Sequence, residues 1–206
     1  MGIGFLMAFV IWTVLISFID VKAIGPQGSS VGFSALNQFV HQLTGTNMLL
    51  YTVTDWLGLV PIGTAMGFAA LGLIQWIKRK SPIKADRDIL ALGVFYIAVM
   101  VIYVFFEFVV INYRPILIEG IWEASYPSST TVLVFCVMPT FMMQLNARIK
   151  NKAFKYCFNI VICTFIAFMF LGRLLSGVHW FTDIIGGGLI SAGLVLLYAS
   201  YFYRNH

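Results

Sequence analysis

His179 and Asp183 are the residues from which chemistry can be read first. They stand at i and i+4 within Arg173-Leu174-Leu175-Ser176-Gly177-Val178-His179-Trp180-Phe181-Thr182-Asp183. On a helix both side chains leave one face, about one turn apart. A carboxyl group in that place can hold the ring Nδ1–H and leave Nε2 free to attack an electrophile. Arg173 adds a fixed positive charge whose planar donors suit phosphate oxygens. A hydrogen-bonded pair capping a helix is the structural alternative, and an arginine at this distance favours the chemical one. The set reads as a phosphoryl-transfer site at the mouth of a hydrophobic segment.

The elements that must position these residues are membrane helices. Of the 206 residues, 60% are hydrophobic and 10% charged, and the mean hydropathy is +0.91. That composition belongs to an integral membrane protein. Six apolar stretches, near 3–20, 56–77, 89–111, 129–146, 156–174 and 181–202, reach the roughly 20 residues a spanning helix needs. They are too long for strands, so the expected class is an all-α membrane protein with six transmembrane helices in one bundle, a single domain over 1–206. The first segment lacks a basic leader and an obvious cleavage site, so it reads as a retained helix. Cys136, Cys157 and Cys163 all fall inside spans and read as small core residues.

Charge sets the orientation. Lys78, Arg79, Lys80, Lys84 and Arg87 follow the second span, Arg148, Lys150, Lys152 and Lys155 follow the fourth, and Arg204 follows the sixth. The opposite side holds only Lys22, Arg114 and Arg173. By the positive-inside rule both termini are cytoplasmic. The net charge of +5 is accounted for by this bias, and no nucleic-acid patch is visible. The longest polar segment, Asp20 to about Asp55, lies outside and includes an amphipathic stretch at 33–41 that suits an interfacial helix.

The outer side then receives the end of span three, the start of span four and the turn before span six. Span three ends with Glu107 and Arg114, seven residues apart and so nearly on one face. Span four opens Tyr126-Pro127-Ser128-Ser129-Thr130-Thr131, where a proline at the first turn, free amides and several hydroxyls make an anion cradle. The same serines and threonines could be simple helix caps, and either arginine alone could be an interfacial anchor. Converging on one face, they make a phosphate site with a nucleophile. No metal cluster is visible, and the other histidines are His41 and His206.

These residues resemble the type 2 phosphatidic acid phosphatase superfamily of membrane lipid phosphatases. That family's motifs read K-x6-R-P, P-S-G-H and S-R-x5-H-x3-D, placed at the outer ends of spans three, four and six of a six-helix topology. The resemblance implies that His179 is a nucleophile forming a phosphohistidine and that Asp183 orients it. Arg114, Arg173, Ser128 and nearby amides would hold the phosphate, with Ser129 and Thr130 in the same cradle. No cofactor is implied. Three departures stand out: Gly172 replaces serine, Glu107 stands at the lysine, and Ser129-Thr130 replace Gly-His. The lost histidine is the family's general acid, and a threonine hydroxyl cannot do that work well. Glu107 is left with two readings, a substitute acid or a salt-bridge partner of Arg114 or Arg173. Glu119, Glu123 and His41 read as solvated residues that could lean over the site as donors.

The function expected is a bacterial-type plasma-membrane lipid phosphatase with its site on the outer face. Its substrate would be a lipid phosphomonoester or diphosphate of the undecaprenyl diphosphate, phosphatidate or phosphatidylglycerophosphate type. The alternative is a catalytically weakened member that binds or moves lipid phosphates.

Overall fold

The computed structural model describes residues 1–81 and 84–204, so His206 falls outside the described residues. The elements are α1 (Gly2–Phe18), α2 (Ser34–Thr44), α3 (Met48–Leu57), α4 (Leu59–Arg79), α5 (Arg87–Phe108), α6 (Ser129–Arg148), α7 (Lys152–Leu175) and α8 (Phe181–Arg204). Among the described residues no strand forms, and three isolated bridges are the only extended pairings. The all-helical class follows from apolar runs in which every backbone group must be satisfied within its own segment.

Five helical stretches are long and apolar enough to cross a membrane: Met48–Arg79, Arg87–Phe108, Ser129–Arg148, Lys152–Leu175 and Phe181–Arg204. Six were expected. α1 is apolar throughout but only 17 residues long, about 26 Å at 1.5 Å per residue, against a hydrocarbon core of roughly 30 Å. The first of these, expected as the second span, also starts eight residues earlier than its hydropathy suggests, at Met48 against 56. Its first part, α3, begins where Asn47 accepts a hydrogen bond from the Leu50 amide at 3.0 Å, a side-chain N-cap.

α8 is the central helix, packed against both α1 and α6. The apolar core between them holds Phe9, Ile16, Leu92, Tyr126, Val132, Cys136 and Ile190, and a second cluster of Val134, Met138, Ile162 and Met169 joins α6 to α7. Small residues allow the close approach, as they do generally between helices in lipid. A Cβ on Gly186 of α8 would lie 2.4 Å from the Tyr126 ring. Tyr126 is thereby locked over α8, with its hydroxyl 2.6 Å from Thr13 Oγ1 of α1. Cys136 is buried as expected, but Cys157 and Cys163 lie exposed on α7, on a helix surface that also shows Phe158, Val161 and Leu171 to lipid.

At the end bearing the basic loops, polar groups tie helices together. Gln144 Nε2 of α6 donates to the Tyr198 hydroxyl of α8 at 2.6 Å, and Arg148 pairs with Asp88 of α5 at 2.6 Å. At the other end, Asn37 of α2 accepts from the Thr182 amide at 3.1 Å and donates to Thr182 Oγ1 at 3.0 Å. The predicted interfacial helix thus caps the first turn of α8, where amides lack helical partners.

Candidate active site

His179 sits in the short Ser176–Trp180 link between α7 and α8. Gly177 makes the turn possible: its φ is +64°, and a Cβ there would fall 1.9 Å from the Gly45 carbonyl oxygen. The link is pinned by the Ser176 hydroxyl donating to the Arg173 carbonyl at 2.8 Å and by the Asn47 amide donating to the Ser176 carbonyl at 2.9 Å. His179 is buried, at 4% exposure.

The imidazole is held at both nitrogens. Nε2 lies 3.1 Å from an Arg173 terminal nitrogen. A guanidinium can only donate, so Nε2 carries the lone pair and Nδ1 the proton. Nδ1–H faces Ser125, with the hydroxyl at 3.1 Å and the carbonyl at 3.2 Å. Ser125 Oγ in turn donates to Asp183 Oδ2 at 2.5 Å. The expected direct bond between His179 and Asp183 is therefore not made, and Nδ1 and Oδ2 stand 3.9 Å apart. A serine hydroxyl bridges them. Burial, then the charges of Arg173 and Arg114, hold the His179 ring well below the usual imidazole range. It stays neutral, as a nitrogen nucleophile must.

Asp183 also has a structural task. As the third residue of α8, its carboxyl accepts from the Trp180 amide at 2.9 Å, closing the N-terminus of the helix. Its other oxygen accepts from Asn112 Nδ2 at 3.0 Å. Asn112 and Ser125 arrive together because the loop between α5 and α6 folds back on itself. The Ser125 amide donates to the Asn112 carbonyl at 3.0 Å, and the Arg114 amide to the Glu123 carbonyl at 3.2 Å. In extended backbone alternate residues share a face, so Asn112 and Arg114 sit opposite Ser125 and Glu123. The Trp180 indole ties this loop to the His179 link by donating to the Tyr113 carbonyl at 2.8 Å.

The two arginines converge on a third element. Both guanidinium groups lie over the ring of Tyr51 in α3, Arg173 at 5.2 Å and Arg114 at 5.7 Å from its centroid. Arg173 is 1% exposed, with Thr54 Oγ1 at 3.5 Å and Asp55 Oδ1 at 3.9 Å. Arg114 pairs with Glu123 at 2.9 Å. Yet Arg173 Nε, Arg114 Nε and one Arg114 terminal nitrogen are buried with no acceptor. Unsatisfied guanidinium donors beside a neutral histidine nitrogen form a space suited to a tetrahedral anion.

The remaining expected residues divide. Ser128 is fully buried beside Asp183, its amide donating to the Asp183 carbonyl at 3.1 Å and its hydroxyl accepting from Thr131 Oγ1 at 3.0 Å. Thr130 is half-buried in the first turn of α6. Ser129 instead lines a separate small hollow with Tyr103, Glu107, Tyr126 and Pro127. Glu107 is exposed there, beside Tyr103. Among the described residues no ion pair joins it to either arginine, so the expected salt bridge is not made. Glu123, expected as a solvated residue that could lean over the site as a donor, is the carboxylate at Arg114, while Glu119 is exposed at the loop tip. His41 is half-buried with its ring 5.7 Å from Trp180.

Ser125, Asn112, Tyr51 and Glu123 were not singled out as site residues by sequence spacing. Only the Asn112-Tyr113-Arg114 and Ala124-Ser125-Tyr126 runs, each beside a residue already chosen, could have drawn attention to the first two.

Comparison with known families places this arrangement. Residues 106–206, which contain Arg114, Ser125, Ser128, Arg173, His179 and Asp183, match the PAP2 superfamily. This half of the chain belongs to the PAP2 superfamily. The whole chain is similar to the crystal structure of a transmembrane PAP2-type phosphatidylglycerolphosphate phosphatase from Bacillus subtilis. The TM-score is 0.61 at 17% identity, over 98% of this chain and 96% of that one. At that identity the likeness establishes the fold. Among curated proteins, none matches the chain. PAP2 superfamily members are phosphatases, and the five long apolar helical stretches of this chain suit a multi-pass membrane protein.

Proposed function

We propose that the chain is an integral membrane lipid phosphatase acting through a phosphohistidine on His179, without a metal ion. The observation that carries this reading is the protonation pattern of the imidazole. Arg173 marks Nε2 as the free lone pair, while Nδ1–H is tied through Ser125 to Asp183. On substrate binding the phosphate takes the place of that imidazole at Arg173, and its oxygens satisfy the unpartnered donors of Arg173 and Arg114. Nε2 attacks phosphorus, the bond to the leaving oxygen breaks, and the imidazolium that forms is stabilised through Ser125 by Asp183. Water then attacks phosphorus, the N–P bond breaks and inorganic phosphate leaves.

Ser128 acts in this scheme through its amide on α8 more than as a ligand, and Thr130 supplies a first-turn amide to the phosphate. No strong acid stands at Thr130 to protonate an alkoxide. A lipid diphosphate, whose leaving phosphate needs less protonation, is accordingly a better substrate than a monoester. The excess of basic residues in the loops supports cytoplasmic termini and a site on the outer face of a bacterial-type plasma membrane. α1 crosses as a sixth, short helix, at the lower end of the length that spans.

Phosphate release by the purified protein, measured across lipid monoesters and diphosphates beside His179→Ala, tests the reading. The expected result is release from at least one lipid, strongest for a diphosphate, and none from the variant. Equal release by His179→Ala would overturn it. Lipid binding without release by either protein would favour a binding or carrier role.

A further inference from the structure

Tyr51 lies outside the half of the chain that carries the PAP2 match, yet it touches both arginines of the site. It reaches them because α3 closes onto the outer end of α7. At Gly172, a Cβ would meet the Thr54 methyl at 2.5 Å, so any larger residue there would push α3 away. At Gly177 and Asn47 the preceding turn is pinned to the His179 link. The result is a tyrosine ring with one guanidinium from the α5–α6 loop and one from α7 resting on it, both with buried donors that lack acceptors. An aromatic face attracts a guanidinium through the negative face of its ring quadrupole. It attracts two at once only if something offsets their mutual repulsion.

We infer that Tyr51 is a positioning residue that acts as a shared platform for Arg114 and Arg173, setting the gap between them to accept one phosphate group. This inference rests on the reading of the site as a phosphate pocket. The ring's quadrupole and the flanking carboxylates Asp55 and Glu123 hold two like charges together. The arriving phosphate dianion then takes over their neutralisation and fills the unpartnered donors. Preorganisation of this kind raises affinity by removing the cost of gathering the arginines at the moment of binding. The ring does the work and the hydroxyl does not.

Orthovanadate, a tetrahedral phosphate mimic, gives a readout that does not require turnover. Its dissociation constant would be measured by calorimetry on full-length protein in detergent, beside KM and kcat for the best lipid substrate. Tyr51→Leu and Tyr51→Gln should each weaken orthovanadate binding about tenfold or more, with KM rising more than kcat falls. Tyr51→Phe, which keeps the ring, should recover binding to within about threefold. Gly172→Val, which displaces α3 without touching Tyr51, should lose binding as Tyr51→Leu does. Thermal midpoints identify any variant that fails to fold, and two ring-deleting variants are compared for that reason.

Unchanged binding in folded Tyr51→Leu or Tyr51→Gln would overturn the platform, as would an equal loss in Tyr51→Phe. Wild-type protein that binds orthovanadate in this pattern yet hydrolyses no lipid phosphate would remove the phosphatase reading and leave the platform standing. Turnover lost in His179→Ala but insensitive to Tyr51 would do the reverse. Wild-type protein that binds no orthovanadate would overturn both.

Discussion

At the residue scale the central relation is between His179, Ser125 and Asp183. A carboxyl 3.9 Å from Nδ1 is too far to orient the ring by itself, and the serine hydroxyl closes the gap. Ser125→Ala should therefore lower kcat roughly 10²–10⁴-fold, the range found when a group orienting a catalytic histidine is lost. Steady-state turnover of purified variants checks this, and Asp183→Asn should fall in the same range because it acts through the same hydroxyl. The neutral His179 ring also has a pH consequence. Its folded-state value lies below the ordinary 6.5, so between those two values the unfolded chain binds more protons. Stability is complete above about 6.5 and declines as pH falls towards the folded value. Thermal midpoints across that window should fall with pH in the wild type and fall less steeply in His179→Gln. Some slope will remain, because burial lowers His41 in the same direction. The His179, Asp183 and Arg173 set was legible in the sequence because helical spacing and the link before α8 place it locally. Ser125 and Asn112 were not legible, since their meeting at Asp183 depends on the pairing of 112 with 125 across a loop. Glu107 looked catalytic because spacing put it on Arg114's side, but the loop turns Arg114 away to Glu123.

At the element scale the site depends on how α3 and the Ser176–Trp180 link close over α7. Hydropathy placed the second span at 56, because Thr52, Thr54 and Asp55 interrupt the apolar run. The helix begins at Met48, and those same polar residues include the ones that face Arg173. Residues that weaken the membrane signal are here residues of the site. The amphipathic pattern at 33–41 was correctly read as a short helix, although its docking on Thr182 through Asn37 is a tertiary fact that periodicity does not carry. Gly177→Ala is the sharp test of this closure. The added methyl would meet the Gly45 carbonyl, and a non-glycine at φ +64° is itself strained by about 1–3 kcal/mol. The thermal midpoint should drop by about 5 °C or more, with loss of turnover. An unchanged midpoint would mean that the turn at 45–47 does not pack as described.

At the scale of the whole molecule, the helical class and most span positions were legible because lipid leaves an apolar segment few alternatives. The count of six turns on α1, which sits at the margin of a spanning length. Orientation rests on nine basic residues in two loops against three on the opposite side. In a background with Cys136, Cys157 and Cys163 replaced, Ile121→Cys, at an exposed position of the same loop, should label with an impermeant reagent from outside intact cells. Lys150→Cys should label only after lysis, and labelling of Lys150→Cys from outside would invert the topology. Orientation, fold and site geometry meet in one claim, that a phosphoryl group passes through Nε2 of His179. Phosphohistidine survives alkali and decays in acid, so protein quenched in alkali during turnover of a lipid phosphate can be digested and read by mass spectrometry. A phosphoryl group on His179 should grow during turnover and be absent from His179→Ala. Undiminished phosphate release with no label on His179, or a label on another residue, would contradict it.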